Sequence, residues 1–205
     1  MPILNPVAPP ALPFAPEDYA RAHHDQHDNV LRLYFNRLSA ITNTIIGRNG
    51  GQYIEVPYGL FFDIADQVLT LPNTATPIVY GQTYLSNKVS VQNNSEVIVA
   101  IGGIYNFQFS AQLTSSNSSS KQVYVWLKRN NIDISYSTHQ YTISGSNVHE
   151  EINWNFNIDL QAGDFFELEW AANDVNVTLE ATAATPPHSG IPSTVMAVNY
   201  VSPLP

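Results

Sequence analysis

"VYVWLKRNNIDI", residues 123 to 134, is an apolar and aromatic run, a pair of asparagines, and the start of a second apolar run. Valine, tyrosine and tryptophan suit an extended chain, whose pleated and half-buried surface accommodates β-branched and ring side chains. Asn130-Asn131 stands where a two-residue hairpin turn would, because asparagine tolerates the positive φ that such turns demand. The stretch predicts two antiparallel strands.

Runs of the same kind lie on both sides of it. Upstream are "QYIEV" (52 to 56), "EVIVAIGG" (96 to 103) and "IYNFQFSAQL" (104 to 113), and "KQVYVWLKR" (121 to 129) contains the first arm of the hairpin. Downstream are "IDISY" (132 to 136), "INWNFNIDL" (152 to 160), "DFFELEWAA" (164 to 172), "VNVTLEAT" (175 to 182) and "TVMAVNYV" (194 to 201). Asn, Gly, Ser and Asp punctuate them. "TSSNSSSK" (114 to 121) reads as a polar low-complexity loop and "QAGD" (161 to 164) as a turn. Many short strands with regular turns predict a mainly β fold, an antiparallel jelly-roll sandwich.

Ahead of the strands the pattern changes. Residues 1 to 16 hold six of the 14 prolines, which favours an extended arm and excludes a helix or a central strand. Residues 17 to 46 read as a helix, with Pro16 and the acidic pair Glu17-Asp18 at its start and Gly47 placed for a C-cap. Ala20, His24, His27, Leu31, Tyr34, Leu38, Ile41 and Ile45 follow one another in alternating steps of four and three. That is a heptad seam, and it predicts association with other helices. Val30, Leu33 and Phe35 widen the apolar surface beyond the seam. "GRNGG" (47 to 51) reads as a hinge, without the Lys-Ser/Thr of a phosphate loop. Three zones result: a proline-rich arm over 1–16, an anchoring and trimerisation helix with its hinge over 17–51, and a jelly-roll head over 52–205.

Composition narrows the function. The 205 residues are 44% hydrophobic and only 12% charged, with 17 acidic against 8 basic side chains and a formal net charge of −9. Such a surface repels phosphate backbones, which argues against nucleic acid as a partner. There are no cysteines, so neither disulfides nor thiol chemistry enters. The N-terminal stretch lacks the basic start of a signal peptide, and its prolines interrupt any apolar helix there. No run is long enough to span a membrane.

The aromatic strand "GGIYNFQFS" (102 to 110), the hairpin at 123 to 134, "LQAGDFFELEW" (160 to 170) and the terminal "TVMAVNY" (194 to 200) carry a resemblance. Their order resembles the trimeric jelly roll of complement globular heads and tumour necrosis factor. It is similar above all to the versions on bacteriophage fibre and decoration proteins, a likeness to which "YGLFFDIADQ" (58 to 67) and "LRLYFNRL" (31 to 38) add. The resemblance covers residues 52 to 202. It implies a homotrimer with the jelly roll displayed outward and the N-terminal part attached to a particle.

One cluster invites a different reading. "HHDQHD" (23 to 28) sets His23 and His27 four apart, as in zinc-binding helices. The glutamate that should follow the first histidine is missing, since position 24 is histidine, and no third ligand is evident. The heptad supplies the preferred account: His24 and His27 are seam residues, and polar seam residues set register and oligomer state. An ion held between chains at His24 and His27, or loosening on protonation below roughly pH 6.5, is the alternative. Elsewhere, "HEEINW" (149 to 154) places Glu150 and Glu151 on opposite faces of a strand, so they do not form a catalytic pair. Trp126, Trp154 and Trp170 could stack on sugars, but the apolar strands around Trp126 and Trp170 predict core or trimer packing for those two.

The expectation is a structural virion protein without enzymatic activity, cofactor or bound metal. It would be a trimeric capsid decoration (cement) or head-fibre protein, made in the host cytoplasm. Leu31, Tyr34, Leu38, Ile41 and Ile45 would carry trimerisation, and the major capsid protein or a tail component would be the partner. A short tail-fibre or receptor-binding tip that recognises a host-surface glycan is the second expectation. The loops 114 to 121, 136 to 149 and 185 to 192 would be its recognition loops, with no binding residue assigned.

Overall fold

The computed structural model describes residues 7–14, 17–46 and 56–205. The chain divides into two units, residues 1–55 and 56–205. In chain order the strands are β1 (Tyr58–Asp63), β2 (Gln67–Val68), β3 (Thr76–Pro77), β4 (Gln82–Asn87), β5 (Val89–Gln92), β6 (Glu96–Val99) and β7 (Gly103–Ser115). They continue as β8 (Lys121–Arg129), β9 (Ile132–Asp133), β10 (His139–Ile143), β11 (Val148–Leu160), β12 (Phe165–Ala172), β13 (Val177–Leu179) and β14 (Thr194–Ser202).

Every pairing between these strands is antiparallel. One sheet runs β2-β13-β7-β14-β1-β4, and β11 takes the other edge of β7 along its whole length, from Val148 opposite Ser115 to Leu160 opposite Gly103. The second sheet runs β10-β8-β12-β6-β5, with β3 on β12 and β9 on β8. The two inner faces meet in a core that includes Phe61, Tyr105, Phe107, Phe109, Val125, Phe166, Leu168, Trp170, Met196 and Val198. Alternation builds it: odd residues of β7 from Gly103 to Ser115 are buried, while the even ones are half-buried or exposed. The fold is the expected mainly β, antiparallel jelly-roll sandwich, preceded by an arm and one helix among the described residues.

The opening hairpin forms as its residues predict. Asn130 and Asn131 take φ of 50° and 65°, the two positive values of a type I′ turn. The "QAGD" turn also forms, closed by the Asp164 N–H on the Gln161 carbonyl at 3.1 Å, with Gly163 at φ 87°. Glycine is needed there because a side chain would be strained.

β12 is buried on both faces, which a simple alternation does not predict. Its outward Glu167 accepts from Ser95 Oγ at 2.6 Å, and Glu169 accepts from Lys128 Nζ at 2.8 Å. Each carboxylate keeps one partner where it leaves water, while Glu169 Oε2 is buried without one.

Three expectations need correction. "IDISY" is strand only at Ile132–Asp133, because the Ser137 N–H bonds back to the Ile134 carbonyl and the buried Ser137 Oγ accepts from the Leu127 N–H. "TSSNSSSK" is loop only over residues 116–120. β7 runs through Ser115 and β8 starts at Lys121, whose buried ammonium donates to the Ser119 carbonyl at 2.8 Å and to the carbonyl and side chain of Asn117. Trp126 does not face the core: Val123, Val125 and Leu127 are buried on the inner face, so Tyr124 and Trp126 point outward. Trp170 is in the core, as expected.

The N-terminal unit is described by α1 (Arg21–Ile46) and by residues 7–14, which form no regular secondary structure. α1 starts four residues later than the acidic pair suggested. The N–H groups of His23 and His24 reach the Ala20 carbonyl, and the Tyr19 ring stacks on His24 with centroids 5.0 Å apart. A residue just before the helix packing on its first turn fixes where the chain enters it. Glu17 and Asp18 therefore precede the first turn. Pro16, the C-cap position Gly47, the hinge at 47–51 and most of "QYIEV" lie outside the described residues.

Candidate functional site

At 3.6 residues per turn, α1 presents two apolar directions about 100° apart. One is formed by Val30, Leu33, Tyr34, Ala40 and Ile41, which with Val7 to Pro10 of the arm line a groove of about 770 Å³. The arm therefore lines a groove beside the helix of its own chain. The other direction holds His24, Leu31, Leu38 and Ile45, with Phe35 beside them. Of these, His24, Phe35, Leu38 and Ile45 are exposed and Leu31 is half-buried.

The trimerisation residues thus divide between two surroundings. Tyr34 and Ile41 line the groove beside the arm, while Leu31, Leu38 and Ile45 form an open stripe. No described residue of this unit is buried. A helix of this length without a buried face draws little stability from its own propensity and depends on packing against something else.

The histidines do not converge. His23 is half-buried, with neither ring nitrogen hydrogen-bonded, and lies edge-on to the exposed His24 at 5.6 Å. His27 Nδ1 lies 3.5 Å from the neighbouring Asp28 carboxylate. Among the described residues, no three His, Cys, Asp or Glu side chains come together as metal ligands would. His149 pairs instead with Glu180 at 2.9 Å, and Glu150 and Glu151 are both exposed.

In the β unit two aromatic groups reach the surface. At the open edge between β10 and β11, His139, Trp154 and Phe156 stack in sequence, with centroids 4.2 and 4.5 Å apart. Tyr141 joins them through its hydroxyl on the Asn153 carbonyl at 3.2 Å, and partial burial raises its pKa above the usual tyrosine range. The second group is on the outward face of β8, where Tyr124 and Trp126 line a hollow of about 480 Å³ with Tyr136, Asp133 and Asn73. Tyr136 opens the expected recognition loop 136 to 149 without having been assigned a role, and sequence reasoning missed Asp133 and Asn73. The signal available was the two-residue period of "VYVWL", which separates Tyr124 and Trp126 from the core valines.

No family model matches the chain, and no curated protein matches it. Among solved structures it is similar to murine APRIL at pH 5.0, with 13% identity over 70% of this chain and 98% of that chain and a TM-score of 0.46. For the pH 8.5 structure of murine APRIL the identity is 12% over 70% and 98%, with a TM-score of 0.45. It is also similar to the globular domain of zebrafish complement 1qA protein, at 14% identity over 73% of this chain and 100% of that chain, with a TM-score of 0.48.

Proposed function

We propose that this protein is a non-enzymatic structural protein that assembles as a homotrimer through its N-terminal unit and displays its jelly roll. The observation that carries this reading is a 26-residue helix without a buried side chain among its described residues, whose Leu31, Leu38 and Ile45 recur every seven residues on an open face. Three such stripes packed together remove apolar surface from water, at about 25 cal/mol per Å² before the entropic costs of association.

The place of assembly in this proposal is a virus particle. There the chain would act as a capsid decoration or head-fibre protein, bound through its N-terminal unit to the major capsid protein. The support is the likeness of the quoted β motifs and of "LRLYFNRL" to phage virion proteins. A short tail-fibre tip recognising a host glycan is the second reading, favoured by the outward aromatic hollow on β8.

Absolute mass by light scattering tests the assembly, with and without chelator, at neutral and mildly acidic pH. The expected value at neutral pH is three times the 22.7 kDa chain. A fall in mass with chelator or acid would give the His24 and His27 positions an ionic role in the seam. A single-chain mass under every condition would sink the trimer.

A further inference from the structure

Ser135 and Tyr136 form the centre of a turn closed by the Ser137 N–H on the Ile134 carbonyl at 3.3 Å. Tyr136 takes φ 61° there, a backbone state that glycine or asparagine usually fills at the third position of a turn. A bulky residue at positive φ is uncommon and strained, and such strain gathers at binding sites. Its ring is also fully exposed, so core packing does not account for tyrosine at this position.

The turn is held firmly. Ser137 is buried and bridges the Ile134 carbonyl and the Leu127 N–H through its hydroxyl at 2.7 and 3.1 Å. Tyr136 therefore stands on a fixed base and lines the same hollow as Tyr124 and Trp126. Asp133 Oδ1 accepts from Trp126 Nε1 at 3.0 Å, which orients the indole at the edge of the hollow. Asn73, itself at φ 54°, and Thr138 add amide and hydroxyl groups to the wall.

We propose that this hollow binds a neutral saccharide. The C–H face of a pyranose ring is apolar and suits a tyrosine or tryptophan face, while its hydroxyls need the acceptors and donors that Asp133, Asn73 and Thr138 supply. A volume near 480 Å³ lies in the range of small-molecule sites. No lysine or arginine lines it, and Asp133 together with the chain's charge of −9 disfavours anionic sugars. The inference deepens the second reading above by naming its site.

The test titrates full-length protein with maltotriose, chitotriose, mannotriose and lactose, with sialyllactose and choline as charged controls. Tryptophan fluorescence and saturation-transfer NMR read the binding. At least one neutral sugar should bind with a dissociation constant of about 1 mM or tighter. Tyr136→Gly should weaken that binding about tenfold while raising the melting temperature, because it removes the ring and relieves the positive φ. Asp133→Asn should weaken it as well, with the fold retained.

The site is overturned if no neutral sugar binds below about 20 mM, if Tyr136→Gly leaves affinity unchanged, or if choline or sialyllactose binds in preference. Light scattering on the same samples separates the two ideas. A trimer without sugar binding overturns this site alone, and a sugar-binding monomer overturns the assembly alone.

Discussion

Asn130 joins two turns that are 30 residues apart in sequence. Its N–H donates to the Phe165 carbonyl at 3.0 Å, its Oδ1 accepts from the Phe165 N–H at 3.1 Å, and its Nδ2 donates to Asp164 at 2.8 Å. That side-chain bond, then the Gln161 N–H and the charge of Arg129, holds the Asp164 carboxyl below its usual range. Asn130→Ala should cost about 1–3 kcal/mol, since it loses both side-chain bonds and replaces asparagine, which tolerates positive φ, with a residue that does so less well. Asn130→Gly should cost less, because glycine keeps the backbone state. The pH dependence follows from the direction of the Asp164 shift. A carboxyl depressed in the fold contributes fully above the ordinary range, and the contribution is lost as pH falls below about 4 and through the depressed value. The stability gap between wild type and Asp164→Asn should therefore shrink on acidification, measured by thermal melts between neutral pH and pH 3. A gap that stays constant with pH would show that the carboxylate charge is not part of the clamp.

At the scale of elements, α1 is where the proposal is most exposed to experiment. Leu31→Asp and Leu38→Asp place charge on the open stripe and leave Tyr34 and Ile41 beside the arm untouched. Each should reduce the mass toward that of one chain. The β unit should stay folded, because its core cluster contains residues of 56–205 only; β-sheet circular dichroism checks this. Full-length protein that keeps a three-chain mass with both changes would rule out this face. The elements also show what the sequence could convey. Helix and strand identities were legible wherever an apolar period ran uninterrupted, as in "IYNFQFSAQL" and the heptad steps. Three features depended on side-chain partners that no apolar period announces, far away in the chain only for β12. The burial of β12's glutamates needs Ser95 and Lys128, the order of the serine loop needs the buried Lys121 ammonium, and the helix start needs Tyr19 to reach His24. The aromatic hollow was half legible: alternation gives Tyr124 and Trp126, but only the fold brings Asn73 and Tyr136 beside them.

For the whole molecule, charge opposes the assembly that the helix favours. Each chain carries −9, so bringing three together sums like charges, a repulsion that salt screens over a Debye length of about 10 Å at 0.1 M. Few basic groups are present to offset this: 8 against 17 acidic ones, and Lys128 is already engaged by Glu169. The helix stripe itself, Leu31, Leu38 and Ile45, is apolar, and burial of apolar surface does not weaken in salt. The two contributions predict a sign. Raising ionic strength from about 20 mM to about 500 mM should tighten association. An interface held by ion pairs would do the opposite and dissociate in salt. Sedimentation velocity across a dilution series at the two ionic strengths separates these cases. Weaker association at high salt would move the contact from the helix stripe to charged surface, and with it the argument for attachment through the N-terminal unit.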